Sequence, residues 1–114
     1  MSENVMLRND GGKELQTVRL HGRVDVRTVG DLRLRLHTAI DAGRGRLRVN
    51  VADLELVDHA ALGVLLGGAR RARRSGRSMV LVDVPADLDR LLSANRLGRF
   101  LQVEDADLFH VGHA

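Results

Sequence analysis

The period of polar and apolar positions changes several times along this chain, and each change marks an element. Val5 to Arg8 alternates poorly and predicts a short edge strand. Asn9-Asp10-Gly11-Gly12 has turn composition, and Leu15 to Leu20 reads as a second strand, so a hairpin is expected. Gly22 closes it, and Val24-Asp25-Val26 follows as an extended link. Val29, Leu32, Leu36, Ala39 and Ile40 then fall on one helical face. Thr28 opens that helix, with Asp31 three residues on in a near-capping-box arrangement, and Asp41-Ala42-Gly43 ends it.

Arg46 to Ala52 alternates and predicts a strand, and Asp53 to Val57 leads from it into a turn. The Asp58 carboxylate can cap the next helix, which is expected to run to about Arg74. Ala61, Leu65, Gly68, Ala69 and Ala72 line one side of it; Arg70, Arg73, Arg74 and Arg77 project from the other. Ser75-Gly76 stops the helix. Ser78 to Val84 is dense in Met, Val and Leu and reads as a buried strand. Pro85 starts a third helix, with Asp87 favourable in its first turn and Leu88, Leu91 and Leu92 facing inward. Asn95 to Gly98 is a break, and Phe100 to Val103 a last short strand. Residues from Asp105 on are expected to form a short tail or a partial helix, tied down by Leu108 and Phe109. Strands alternating with helices imply right-handed crossovers and parallel pairing, and the opening hairpin makes the sheet mixed.

The predicted fold class is therefore α/β: one domain over residues 1–114, a small mixed sheet flanked by helices, with a core from about 5 to 103. At 114 residues a core can form without metal or disulfide staples. Aromatics are only 2% of the chain, so the core must be aliphatic and a base-stacking platform for single-stranded nucleic acid is not expected. The absence of cysteine excludes disulfides, thiol catalysis and thiolate metal sites. Met1-Ser2-Glu3-Asn4 lacks the parts of a signal peptide, and no apolar run reaches the length of a membrane span, so a cytoplasmic protein with no membrane association is expected. All basic residues but Lys13 are arginines, and a net charge of +3 is a weak argument for nucleic acid.

The segment Asp58-His59-Ala60-Ala61-Leu62-Gly63 stands at the mouth of a helix directly after a strand. Unpaired backbone N–H groups and the positive end of the dipole would hold a phosphate there. With Leu20-His21-Gly22-Arg23-Val24-Asp25, Val49 to Leu54, Val57 to Leu66, Met79 to Pro85 and Arg90 to Gly98, the order and spacing resemble the STAS domain, the family of bacterial anti-sigma-factor antagonists. The resemblance implies a non-catalytic regulator that binds an anti-sigma factor of the serine-kinase type, with the complex broken by phosphorylation of the residue after the turn aspartate. That position is His59 here, so the phosphoacceptor-equivalent residue has no hydroxyl. His59-Ala60 stands where the family has two serines, Ala61 where it has its first glycine, and Gly63 at its second. Asp25 and Asp58 match its acidic positions. The implied partner-binding set is Asp25, Asp58, His59, Ala60, Ala61, Gly63 and Leu66.

Other readings stand beside this one. The same fold could serve as an accessory subunit of a transporter or signalling scaffold, or the chain could be a basic nucleic-acid binder. His59 could be an exposed first-turn histidine with no chemistry. The arginines from Arg70 to Arg77 could be a solvated face or a docking surface for an acidic partner. Leu66, towards the arginine side, and Leu34 lie off their helices' inward faces. His110 and His113 lack further ligands for a metal, Gly43-Arg44-Gly45-Arg46 lacks the ending of a phosphate-binding loop, and no serine has a base beside it. No cofactor, metal or catalytic residue is assigned.

Overall fold

The structure is a computed structural model and describes residues 5–10, 13–57 and 59–104. Two strands open the chain, β1 (Val5–Asp10) and β2 (Lys13–Val24). They are followed by α1 (Val29–Asp41), β3 (Arg46–Leu56), α2 (Ala60–Arg74), β4 (Ser78–Val82) and α3 (Ala86–Ala94). A short 3₁₀ turn (Leu97–Arg99) leads to β5 (Gln102–Val103). The five strands lie in sequence order. β1 and β2 are antiparallel, and β2 to β5 are mutually parallel, so the expected mixed sheet with helical crossovers is present.

The inward face of the sheet repeats every second residue: Val18 and Leu20 on β2, Leu47, Val49 and Val51 on β3, Met79 and Leu81 on β4. Against it pack Leu32, Leu36, Ala39 and Ile40 of α1 and Ala61, Leu62, Val64, Leu65 and Ala72 of α2. Each fully buried Leu or Val contributes about 1.5–3 kcal/mol relative to leaving it exposed. Gly68 sets how closely the two helices approach. A Cβ there would lie 2.4 Å from Leu36 Cδ2, and Leu36 is itself fully buried. The buried arc of α2 is wider than the predicted stripe, because the helix touches both α1 and the sheet.

β2 and β3 are both longer than their alternation suggested. The register passes from Arg19↔Asn50 to His21↔Asp53, so Val51 and Ala52 together oppose the single Leu20. This bulge resets the phase of β3. Leu54 returns to the inside while Asp53 and Glu55 face out. Gly22 does not end β2; it is carried within the strand at φ +105°. β4, in contrast, pairs with β3 only as far as Asn50↔Val82. Beyond that, Asn50 Nδ2 donates to Asp83 Oδ2 (2.8 Å), and the Ala52 N–H donates to Asn50 Oδ1 (2.9 Å). Asp83 turns away at φ 57°, so the strand stops short of the predicted Val84.

α2 ends as expected at Ser75-Gly76. The Gly76 N–H bonds to Arg73 O and the Arg77 N–H to Ala72 O, with Gly76 left-handed at φ +77°, which is a Schellman motif. Arg77 departs from its expected place with the exposed arginines. It lies beyond the helix, is 5% exposed, and turns back under α1. Its Nη1 donates to Ile40 O (2.7 Å) and Ala39 O (3.2 Å), and its Nε to Gly45 O (3.0 Å). Gln16 Nε2 donates to the same Ala39 carbonyl (2.8 Å). A cation and an amide thus take up the orphan carbonyls at the end of α1, where the dipole also favours positive charge.

Above this knot Arg71 grips Asp41 through Nε (3.0 Å) and Nη2 (2.7 Å). The guanidinium holds the Asp41 carboxyl below the usual carboxylate range. Burial, then the Arg71 charge, lowers the His37 imidazole. A depressed folded pKa stabilises above the unfolded value and is lost as pH falls through the folded one, so both groups weaken the α1–α2 joint on acidification. The expected final strand is present but shortened to Gln102–Val103. The tail reading, with Leu108, Phe109, His110 and His113, lies outside the described residues.

Two glycine substitutions test the helix packing. Gly68→Val is expected to lower unfolding free energy by about 1–3 kcal/mol through overpacking against Leu36. Gly67→Ala, where an added Cβ meets nothing within 4 Å, is expected to raise it by up to about 1 kcal/mol. Urea denaturation of both variants decides. Arg77→Lys is expected to cost about 3 kcal/mol in the same assay, because an ammonium cannot reproduce the planar fork that reaches several carbonyls.

Candidate functional site

The pairing Val24↔Leu56 brings the ends of β2 and β3 side by side, and the Val57 N–H donates to Val24 O (2.9 Å). The loop after β2 and the turn after β3 therefore emerge together at the carboxyl edge of the sheet. Asp25 builds the first of them. Its Oδ1 accepts from the Arg27 N–H (2.8 Å) and the Thr28 N–H (3.2 Å), and its carbonyl accepts from the Val29 N–H (2.9 Å). The expected cap by Thr28 is thus replaced. Thr28 sits at the helix boundary without capping it, and its hydroxyl accepts from the Asp25 N–H (3.0 Å) and donates to Arg23 O (3.1 Å). Asp25 is a local organiser of the loop, half-buried, and its hydrogen bonds run along the chain.

The helix boundary of α2 is His59, which makes no side-chain cap bond; its carbonyl accepts from the Leu62 N–H (3.1 Å). Asp58, the expected cap, lies outside the described residues. His59, Ala60 and Gly63 are all exposed, and a Cβ on Gly63 would meet nothing within 4 Å. Ala61 is fully buried in the core. Its methyl offers a partner no surface, and it leaves the contact set. Leu66 is half-buried and packs against the core, so it is not the solvent-facing residue expected from the helical wheel. It belongs to the flank of the α2 packing surface.

Two residues join the site that the sequence reading passed over. Val26 is 73% exposed in the loop after β2, and Val57, hydrogen-bonded to Val24 just before that loop, is 46% exposed. Leu34 is 65% exposed, as expected, one turn along α1 from the open Gly30. Only an isolated apolar residue between charged ones signalled Val26. Val57 comes from a segment 31 positions away, which no local pattern can reveal. The assembled surface is a small, weakly apolar patch of short side chains around a helix N-terminus. Among the described residues there is no grouping of His, Cys, Asp or Glu able to hold a metal, and no helix long and apolar enough to cross a membrane.

The sequence profile described as "Mlab, STAS domain" matches residues 8–103, and the chain belongs to the STAS domain family. Its sequence is similar to an anti-sigma F factor antagonist of Paenibacillus polymyxa, with 24% identity over 106 residues, 92% of this chain and 91% of that protein. The fold is similar to that of SpoIIAA, the anti-sigma factor antagonist, in its unphosphorylated form (TM-score 0.62, 21% identity, 96% of this chain and 97% of the other). It is also similar to a serine-to-glutamate variant of RsbS from Moorella thermoacetica (TM-score 0.62, 22% identity, 90% and 86% covered). The Thermotoga maritima protein TM1081 shares the fold at a TM-score of 0.73 with 15% identity, over 98% of this chain and 95% of that one.

Asp25→Ala is expected to cost about 1 kcal/mol, the usual loss on removing a side chain that satisfies first-turn N–H groups. Amide hydrogen exchange should show the loss concentrated at Arg27, Thr28 and Val29. Uniform destabilisation without that local signature would show that Asp25 does not organise the loop.

Proposed function

We propose that this chain is a non-catalytic regulator of the anti-sigma factor antagonist type, working in the cytoplasm, and that it docks through the turn between β3 and α2. The observation that carries this reading is the exposure of His59, Ala60 and Gly63, beside Val26 and Val57, at one helix mouth. Short side chains there let another backbone approach closely, and the positive end of the helix dipole favours a partner's acidic groups. The proposed partner is an anti-sigma factor of the serine-kinase type. The similarity to an antagonist over nine-tenths of both chains supports that choice.

The switch is what differs. A serine kinase transfers phosphate to a hydroxyl, and neither His59 nor Ala60 has one. A phosphate at this turn would add nearly two negative charges to the docking face. Without an acceptor that charge cannot be installed on a serine, and binding is constitutive with respect to the kinase.

Partner identification is the direct test. The protein purified from its native cell is expected to bring down an anti-sigma factor; a transporter subunit as the stoichiometric partner would overturn the reading. With the partner in hand, His59→Glu is expected to weaken binding about tenfold or more, roughly 1.4 kcal/mol by calorimetry. The helix should not suffer, since an acid in the first turn suits its dipole. Gly63→Arg is expected to abolish binding with an unchanged melting temperature, since its side chain has open space in the free protein. Equal affinity for wild type and both variants would place the interface elsewhere.

A further inference from the structure

The far end of α2 presents a different surface. From Ala60 to Arg74 the helix contains no acid, and Arg70, Arg73 and Arg74 are exposed on one face at i, i+3, i+4 spacing. Like charges at that spacing repel, and the helix dipole offsets the cost only near the C-terminus. Arg71, between them, is satisfied by Asp41. Arg70, Arg73 and Arg74 have no ion pair with any described residue.

Beside them, between α2 and the starts of β4 and β5, lies a groove of about 220 Å³. Ala69, Met79 and Phe100 supply its apolar lining, and Arg73, Ser78, Gln102 and the largely buried Arg77 its polar one; no acid lines it. Phe100 is the only aromatic among the described residues, yet it is 48% exposed there. A protein with so few aromatics would be expected to bury this one, since a buried phenyl ring is worth about 1.5–3 kcal/mol. Arg46, whose register partner is Ser78, and Arg99 add further exposed positive charge at this end of the molecule.

We infer that this groove is a second docking site, for an acidic protein segment carrying an apolar anchor residue. The anchor would fill the space beside Phe100 and Met79, and flanking carboxylates would pair with Arg73 and its neighbours on α2. Arginine suits such pairing because its planar fork meets a carboxylate in two parallel bonds. An apolar lining favours a peptide over a duplex, whose outward surface is phosphate and sugar. Thirteen residues of helix separate Ala60 from Arg73, about 20 Å at 1.5 Å per residue. The site is therefore distinct from the turn, and one chain could hold two partners at once.

The test is fluorescence anisotropy on the full chain with a labelled twelve-residue Glu/Asp peptide bearing a central Leu-Phe. The same peptide with Gln/Asn for the acids, and a 12-base-pair DNA duplex, serve as controls. Saturable binding of the acidic peptide is expected, at least tenfold tighter than either control. Arg73→Gln and Phe100→Ser are each expected to weaken it at least fivefold. Arg73 is exposed, so its variant should melt with the wild type even if the Phe100 variant does not. Gly63→Arg should leave peptide binding unchanged, which separates this site from the one at the turn. Absence of saturable binding, equal or tighter binding of DNA, equal binding of the neutral peptide, or an Arg73→Gln variant that binds as wild type would each overturn the inference.

Discussion

The buried guanidinium of Arg77 is the constraint on which the rest of the molecule depends. It leaves the Schellman turn of α2, runs beneath the last carbonyls of α1 and reaches the loop before β3. In one residue it fixes the end of one helix, the start of β4 and the crossover between α1 and β3. Gln16 shares the Ala39 carbonyl from β2, and Gly43 leaves room for it: a Cβ there would stand 2.8 Å from Gln16 Oε1. Burying a charge is costly unless its donors are met, so this arrangement tolerates little variation in the geometry around it. It acts as a register pin for the parallel layout, which no hairpin turn could set.

With that end of the fold held, the opposite edge can carry a functional surface on short loops. The bulge opposite Leu20 keeps β3 running to Leu56, far enough to bring Val57 against Val24. Asp25 then folds the neighbouring loop with its own carboxylate. The turn and its neighbouring loop are held by backbone bonds and the short Asp25 carboxylate rather than by large side chains. This explains how His59, Ala60 and Gly63 can all stay exposed without cost to the core.

The two ends of α2 differ in chemistry as well as position. The first turn is small, open and at the positive end of the dipole; the last turns are crowded with arginine beside an exposed ring. A helix of this kind joins two surfaces rigidly, because both of its flanks are packed into α1 and the sheet.

Much of this was legible in the sequence. Helical spacing located α1, α2 and α3, alternation located β3, and strand-like runs bounded by turn signals located β2 and β4. Those signals are local, and local patterns survive in one dimension. What the tertiary structure decided came from partners far apart in the chain. The bulge broke the alternation of β3 before Asp53, so the end of that strand, from Asp53 to Leu56, looked like a loop. Arg77 looked like one more exposed arginine because its acceptors lie 32 to 38 residues away. Ala61 entered the contact set through the family resemblance and Leu66 through its place off the apolar stripe, but the packing of α2 against both α1 and the sheet took one fully and the other partly out of solvent. Burial is a property of the assembled layers, so a residue's exposure at a functional site is settled only when those layers meet.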